Sequence, residues 1–287
     1  MTPARTGAAL ALASIVLVQL GLGLSVGLFD ELGPEGAAWL RLVWAGVIFL
    51  AIARPRPSRF TRTAFLACVA LGVATAGLTI CFMAAIARLP LGTATALEFL
   101  GPLGVAVARG RAKLWPILAA VGVVLLTEPW HGAIDPAGVG FALAAAACWA
   151  GYILLTQRVG DEVTGVRGLA VSMPVAALVA TVVAGPSAAV RLTWELVLVG
   201  AALAVVLPVI PYTLELLALR RLTTAAFGTL MALEPAAALV VGLLLLDQVP
   251  GPAAIAGIAF VVAAGIGAER TGARSAVVAP VAEPSRA

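Results

Sequence analysis

Charged side chains are scarce in this sequence. Asp, Glu, Lys and Arg make up 11% of the 287 residues, against roughly 25% in soluble domains. Hydrophobic residues make up 62% of the chain, and its mean hydropathy is +1.09. A soluble core of this size cannot hide that much apolar surface. The composition therefore excludes an ordinary soluble protein and predicts a chain that lies mostly within a lipid bilayer.

Side chains that bind metals or perform catalysis are also few. The sequence has one histidine, His131, and three cysteines, Cys68, Cys81 and Cys148, which lie in apolar segments without metal-ligand spacing. It has no His-Glu-x-x-His pattern, no glycine loop that would hold a phosphate and no paired aspartates within a helix. We therefore expect no metal site, no cofactor and no enzymatic activity.

Long apolar runs fill residues 8 to 268. A bilayer core of about 30 Å needs roughly 20 apolar residues per helix. Because the runs are continuous rather than alternating, and rich in alanine and leucine, helices are favoured over strands. We predict an all-α polytopic membrane protein with ten transmembrane helices. They cover about residues 8–28, 36–53, 64–86, 90–108, 113–127, 137–157, 168–185, 195–218, 223–246 and 251–268.

One stretch of the chain occurs twice. Residues 88–102 (RLPLGTATALEFLGP) return in degraded form as residues 221–235 (RLTTAAFGTLMALEP), with 221 − 88 = 133 and 235 − 102 = 133. Such internal repeats are typical of duplicated membrane proteins. We therefore assign residues 1–130 to a first five-helix repeat, residues 131–268 to a second, and residues 269–287 to a disordered cytoplasmic tail.

The basic residues predict the orientation of the chain. With a cytoplasmic N-terminus, every Arg and Lys falls on the cytoplasmic side except Arg88 and Arg191, which lie outside, and Arg41, which lies within a helix. Both termini are then cytoplasmic. Because five is an odd number, the second repeat enters from the opposite side, so the two repeats are inverted. Inverted repeats with a site near the midplane are common in secondary transporters.

Two segments of the repeat carry a family resemblance. The sequences LPLGTATALEFLGPLGVAV and FGTLMALEP resemble the EamA-type branch of the drug/metabolite transporter superfamily, and within it the bacterial threonine/homoserine exporters. The likeness covers all ten predicted helices. It implies an inner-membrane exporter of amino acids such as threonine and homoserine, driven by an ion gradient. The alternatives are an exporter of other metabolites or drugs, a channel, and an intramembrane enzyme.

Two carboxylates fall at mid-membrane depth. Glu98 lies nine residues after Leu89 (98 − 89) and Glu234 eleven after Thr223 (234 − 223), or roughly 13 and 16 Å at about 1.5 Å per residue. A carboxylate this deep persists only with a partner or a function. We expect Glu98, and secondly Glu234, to bind a substrate ammonium group or a coupling proton. The 133-residue offset aligns Glu98 with Met231, so the two carboxylates are not repeat equivalents.

Four prolines are predicted to break membrane helices. Because proline has no amide proton, it cannot bond the carbonyl four residues earlier. Pro102 therefore frees the carbonyl of Glu98, next to a carboxylate, which suits a cation or an ammonium group. The predicted breaks are at Pro102, Pro208, Pro211 and Pro235.

A substrate with a carboxylate also needs a cationic partner. Arg41 is the only basic residue placed inside a helix, about five residues from its predicted outer end, where snorkelling to the headgroups or packing between helices is the favoured alternative. Glu215 is expected at the inner interface, near two arginines. Further candidates to line a cavity or contact substrate are Thr93, Thr95, Thr229, Trp149, Tyr152, Gln157 and Gln19.

The remaining tryptophans lie near predicted helix ends, where anchoring at the membrane interface is expected. They are Trp39, Trp44, Trp115, Trp130 and Trp194. The expected partners of the protein are a small-molecule substrate, the lipid bilayer, a coupling proton and a second copy of the chain in a homodimer. Nucleic acid is not expected, because the positive charge lies in short loops.

Overall fold

The computed structural model describes residues 3–53, 60–109, 114–127, 135–162, 168–219, 221, 222, 227 and 230–272. Regular structure within these residues is helical, and no strand occurs among them. The prediction of an all-α chain is confirmed. Five helices are long and apolar enough to cross a membrane, and five shorter apolar helices accompany them.

The described residues form a series of helices. In chain order they are α1 (Pro3–Val26), α2 (Phe29–Ala53), α3 (Arg62–Ile86), α4 (Leu91–Glu98), α5 (Leu100–Arg109), α6 (Leu114–Thr127), α7 (Pro136–Glu162), α8 (Leu169–Ala189), α9 (Trp194–Ala204), α10 (Ile210–Leu219), α11 (Glu234–Leu245) and α12 (Pro252–Gly272). A π-helical turn, Val205–Val209, joins α9 to α10. Helix α12 includes the first residues of the predicted tail, and residues 273–287 lie outside the described part.

Threonine side chains cap two of the helix starts. The Oγ1 of Thr61 accepts a hydrogen bond from the amide of Ala64 at 3.1 Å, and the Oγ1 of Thr193 accepts one from the amide of Leu196 at 3.3 Å. Each bond satisfies an amide that has no partner inside the helix. These caps fix where α3 and α9 begin.

Helix α2 begins earlier than the sequence predicted. The prediction started at residue 36, whereas the helix starts at Phe29 and bends at Gly33, whose φ of 73° lies in the left-handed region. Glycine adopts this conformation without steric penalty. Pro34 follows, and its fixed φ suits the start of the straight portion. Asp30 and Glu31, which precede the predicted start of the helix, therefore form part of the first turn of α2.

Small residues let the helices approach closely. A Cβ added at Gly122 of α6 would lie 2.8 Å from the carbonyl oxygen of Gly257 of α12, and a Cβ added at Gly257 would lie 2.8 Å from that of Gly122. Such close backbone contact is the usual packing of membrane helices. Large apolar side chains point outward instead, with Leu178, Val182 and Leu244 among the most exposed, as a lipid-facing surface requires.

Polar contacts join the two halves of the chain beside the start of α4. The Oε1 of Gln248, in the connection between α11 and α12, accepts a hydrogen bond of 2.8 Å from the amide of Leu91. Nearby, the Nε of Arg88 lies 3.7 Å from an Asp135 carboxylate oxygen, and its guanidinium stacks 5.0 Å from the ring centre of Phe141. These contacts hold the connection before α4 in place.

Candidate functional site

Both predicted carboxylates lie at helix ends inside the bundle. Glu98 is the last residue of α4 and Glu234 the first of α11, and each side chain is 7% exposed. Helices α4 and α11 pack against each other, with Gly92 facing the backbone at Leu239. The fold therefore brings the two carboxylates together although 136 residues (234 − 98) separate them in the sequence.

The helix that carries Glu98 is interrupted at Phe99. The amide of Phe99 bonds the carbonyl of Thr95 at 2.9 Å, and the amide of Leu103 bonds the carbonyl of Phe99 at 3.1 Å. The interruption precedes Pro102 by three residues, and Pro102 has no amide proton for the carbonyl of Glu98. The Glu98 carbonyl therefore lacks its usual intrahelical donor and lies beside the Glu98 carboxylate, an arrangement that attracts cations.

The chain before Glu234 forms a turn rather than a continuous helix. The amide of Leu233 bonds the carbonyl of Leu230 at 2.9 Å, and α11 then starts with Glu234 and Pro235. Proline suits the first turn of a helix, where its missing amide is not needed. The positive end of the α11 dipole therefore points toward the site. Broken helices whose ends face a midplane site are typical of secondary transporters.

Arg41 belongs to the same charged group. The Arg41 guanidinium attracts the Glu98 carboxylate, whereas the Glu234 carboxylate repels the Glu98 carboxylate. The Arg41 side chain is 8% exposed, so it packs between helices. It lies seven residues (41 − 34) after Pro34, where the straight part of α2 begins beyond the bend at Gly33. Opposite charges buried together reduce the penalty that each would carry alone.

Several buried polar atoms lack hydrogen-bond partners among the described residues. Two of them are the Oγ1 of Thr95 and the Oε1 of Gln19, in residues that are each 1% exposed. Thr95 lies one helical turn before Glu98. Buried polar atoms are nearly always bonded to protein, water or ligand. These two are therefore available to a polar molecule that enters the bundle.

The other predicted residues divide into three groups. Thr93 is buried in the first turn of α4. Trp149 of α7 packs edge-on against Phe99, with ring centres 6.3 Å apart, so it lies beside the helix interruption. Tyr152 instead packs in a separate apolar cluster with Leu71. Outside the described residues or side chains lie Thr229, Gln157, Trp130 and His131.

The predicted break in the helix after Trp194 lies around Leu207. This residue has φ −151° and ψ 107°, far from helical values, and Pro208 follows it within the π-helical turn. Gly21 of α1 packs directly against the Leu207 side chain. Pro211 lies in the first turn of α10, where its carbonyl oxygen is 3.2 Å from the Oγ of Ser14.

Glu215, predicted at the inner interface near two arginines, contacts Ser14 of α1 instead of pairing with Arg221. The hydroxyl of Ser14 on α1 lies 2.9 Å from its Oε1, and the carboxylate also interacts electrostatically with Glu234. The guanidinium of Arg221 is instead bonded to the Leu217 carbonyl at 2.8 Å. The sequence did not predict the role of Ser14, because nothing in the α1 sequence indicates that it faces a helix about 200 residues later.

An apolar groove of about 370 Å³ lies between α5 and α7. Its lining includes Gly101, Gly104, Ala146 and Ala150, and none of the predicted site residues. Because the lining is apolar, the groove offers nothing to a charged substrate. The charged group of Arg41, Glu98 and Glu234 is therefore the candidate site.

Comparisons with known proteins agree with this architecture. The EamA-like transporter family matches residues 136–267. The threonine/homoserine exporter RhtA of Escherichia coli (strain K12) is 35% identical over 266 residues, which cover 91% of this chain and 90% of that protein. RhtA of Salmonella typhimurium (strain SL1344) is 36% identical over 260 residues, 88% of each chain. A crystal structure of a 19% identical protein shares the fold, with a TM-score of 0.62 over 92% of this chain and 96% of that chain.

The fold and the buried charges thus define a multi-pass membrane transporter, and the chain belongs to the EamA-like transporter family. Within that family it is similar to the RhtA threonine/homoserine exporters along nearly its whole length. The predicted family resemblance is confirmed.

Proposed function

We propose that the protein exports threonine and homoserine across the bacterial inner membrane, driven by a proton gradient. The observation that carries the proposal is the identity of 35% to a threonine/homoserine exporter, which extends over 91% of the chain instead of one motif. The alternative substrates are other metabolites or drugs. A homodimer stays a prediction.

The charged group supports an amino acid as the substrate. An α-amino acid carries a carboxylate and an ammonium group, and the site offers Arg41 to the first and Glu98 to the second. The guanidinium presents a planar fork of donors that matches a carboxylate. The Glu98 carbonyl, which Pro102 leaves without its usual donor, is a further acceptor for the ammonium group. Glu234 is the second candidate for the ammonium group or the coupling proton.

The hydroxyl groups of the two proposed substrates also have partners. Threonine and homoserine each carry one side-chain hydroxyl, which can donate and accept. Thr95 and Gln19 hold buried polar atoms without partners among the described residues. Binding of the substrate hydroxyl would satisfy one of them, which favours hydroxylated amino acids over apolar ones of similar size.

The proposed architecture has ten transmembrane helices in two inverted repeats, with both termini in the cytoplasm. Five long and five shorter apolar helices among the described residues support the count. The family match at residues 136–267 supports the repeats, since it nearly coincides with the predicted second repeat of residues 131–268. In this proposal Glu98 and Glu234 come from different repeats and meet between them.

Efflux of preloaded labelled threonine and homoserine tests the proposal, in cells that express the chain beside an empty-vector control. We expect faster efflux from the expressing cells. Glu98→Gln and Arg41→Gln should each slow it about tenfold or more, because loss of one partner of a buried charge pair costs about 2 kcal/mol or more. Arg41→Lys should slow it less, since the charge remains.

Glu195→Gln is the matched control, because Glu195 is an exposed carboxylate in the first turn of α9. It should export at the rate of the unaltered protein. Equal efflux from expressing and empty-vector cells, despite insertion in the membrane, would refute these two substrates. Unchanged efflux in Glu98→Gln, Glu234→Gln and Arg41→Gln would refute the site.

A further inference from the structure

Ser14 lies between two hydrogen-bond acceptors on α10. Its Oγ is 2.9 Å from the Oε1 of Glu215 and 3.2 Å from the carbonyl oxygen of Pro211. A serine hydroxyl has a single proton, so it can donate fully to only one of the two at a time. Ser14 itself is completely buried, and water does not reach it to supply another donor.

The protonation state of Glu215 determines which of the two acceptors receives the hydrogen bond from the Ser14 hydroxyl. When Glu215 is a carboxylate, the Ser14 hydroxyl donates to it, because a charged acceptor forms the stronger bond. When Glu215 is protonated, its own hydroxyl can donate to the Ser14 oxygen, and the serine proton then turns to the carbonyl of Pro211. Both states of Glu215 are hydrogen-bonded, so this carboxyl can take up and release a proton without leaving a buried group unpaired.

Glu215 is also linked to the candidate site. The Glu234 carboxylate interacts electrostatically with both Glu215 and Glu98. It therefore links Glu98, the last residue of α4, to Glu215 on α10. When one carboxylate binds a proton, it loses its negative charge, and the neighbouring carboxyl group can then more easily be negative. The charges of neighbouring carboxylates are therefore coupled.

Few other charges face Glu215 among the described residues. Helix α1, which packs along α10, carries Arg5, nine residues (14 − 5) before Ser14, and the π-helical turn carries no charged residue. Arg221 is bonded to a backbone carbonyl of α10. Glu234 and the Ser14 hydroxyl are thus the groups that respond to the charge on Glu215.

We infer that Glu215 is the proton-release residue of the export cycle, with Ser14 as its hydrogen-bond switch; this inference rests on the proposed function. With the site open to the cytoplasm, the proton leaves the Glu234 carboxyl group and binds the Glu215 carboxylate. Glu215 then gives a proton to water at the cytoplasmic end of α10. Glu234 is left negative and binds the substrate ammonium group for the next outward step.

Reconstituted vesicles separate this role from substrate binding. Exchange of labelled for unlabelled threonine across the membrane needs binding and conformational change but no net proton transfer, whereas uphill transport driven by a pH gradient needs both. We expect Glu215→Gln to retain exchange and lose uphill transport. Glu98→Gln should lose both, and the exposed control Glu195→Gln should retain both.

Ser14→Ala tests the switch itself. Without the hydroxyl, the charged form of Glu215 loses its donor, so the pH at which uphill transport is half-maximal should move upward while exchange persists. Ser14→Thr keeps a hydroxyl and should move the profile less. A merely structural role for Ser14 would reduce exchange and uphill transport together, with no movement of the pH profile, and would overturn the inference.

Infrared difference spectra of the purified protein, taken between alkaline and acidic buffer, do not depend on the substrate. The unaltered protein should gain a protonated-carboxyl band that is missing in Glu215→Gln and displaced in Ser14→Ala. Absence of any such difference, or unchanged uphill transport in Glu215→Gln, would overturn the inference. If the band is present but neither threonine nor homoserine is exchanged, the proposed substrates fail while the proton role of Glu215 stands.

Discussion

Tryptophan Nε1 groups of α2 form hydrogen bonds that reach across the bundle. Trp39, which is 9% exposed, donates to the Oγ1 of Thr181 on α8 at 2.9 Å, and Trp44 donates to the carbonyl of Val197 on α9 at 3.0 Å. Trp39 is therefore buried between helices rather than exposed to lipid. In a bilayer an unbonded donor has no water to turn to, so these bonds fix how α2 sits against its neighbours.

Replacement of Trp39 by phenylalanine tests this at the residue scale. Trp39→Phe should lower the free energy of unfolding by about 0.6 to 1 kcal/mol, the usual contribution of such a bond between membrane helices. Unfolding in mixed detergent micelles would measure it. Trp194→Phe is the control, since Trp194 is 70% exposed at the start of α9. Equal stability of the two variants would contradict the prediction.

Single residues differ in how far the sequence predicts their position. Glu98 and Glu234 could be predicted as buried because each lies in the middle of a long apolar run, where no alternative depth exists. Whether they bind substrate stays a prediction. For Arg41 the sequence left snorkelling and packing between helices open, because which of the two occurs depends on contacts with other helices. Ser14 needed a partner from α10, which local sequence does not reveal.

At the scale of the element, the first turn of α4 depends on a residue from the far end of the chain. The amide of Leu91 has no partner inside its own helix and bonds Gln248, 157 residues later. Helix α4 is eight residues long and ends at the site carboxylate. A short helix gains little from its own internal bonds, so the position of Glu98 depends on such outside contacts.

Gln248→Ala should therefore loosen α4. It leaves the Leu91 amide without its acceptor, and loss of a helix N-terminal acceptor costs about 0.5 to 2 kcal/mol. Hydrogen exchange followed by mass spectrometry should show faster exchange in the peptide that spans residues 91–95. Gln248→Glu keeps an acceptor and adds a negative charge at a helix N-terminus, where it is favourable, so it should exchange as slowly as the unaltered protein. Equal exchange in the two variants would refute the role of Gln248.

Some helix boundaries can be predicted from the residues next to them, whereas others are displaced from the residue that causes them. The threonine caps at Thr61 and Thr193 follow from local sequence, and α3 and α9 begin within two residues of the predicted starts at 64 and 195. The interruption of the α4–α5 segment lies at Phe99, three residues before Pro102. A proline removes the bond to an earlier carbonyl, so the visible break precedes it in the chain.

At the scale of the whole molecule, the proposed topology places both termini and the connection before α3 in the cytoplasm. Val190 and Val249 are 87% and 83% exposed in connections predicted to lie outside, and Thr63 is exposed at the start of α3, predicted to lie inside. Cysteine introduced at these positions reports the side, once the three native cysteines are replaced by serine.

A membrane-impermeant maleimide should label Val190→Cys and Val249→Cys in intact cells, and Thr63→Cys only after the membrane is opened. The reason is that a charged reagent does not cross the bilayer core. Labelling with a permeant maleimide controls for the reactivity of each site. Labelling of Thr63→Cys in intact cells, with protection of the other two, would reverse the proposed orientation.

The general architecture was predictable because a bilayer allows few solutions. Long apolar runs must form helices there, since every backbone polar group needs an internal partner. The repeat at residues 88–102 and 221–235 led to the prediction of two five-helix halves, which stays a prediction, and much of the second copy lies outside the described residues. The arrangement of the helices around Arg41, Glu98 and Glu234 depends on packing between distant segments, which the spacing of residues in one sequence does not encode.

The crossing of α6 and α12 at Gly122 and Gly257 has a consequence for the gene. Each glycine lies against the carbonyl oxygen of the other, so a Cβ at either position would force the backbones apart. Every single-base change of a glycine codon that yields a different amino acid adds a Cβ. A single mutation at either glycine therefore disrupts the close crossing of α6 and α12, and no smaller substitution exists. Because the opposite residue is already a glycine, a second mutation there cannot make room for the added Cβ.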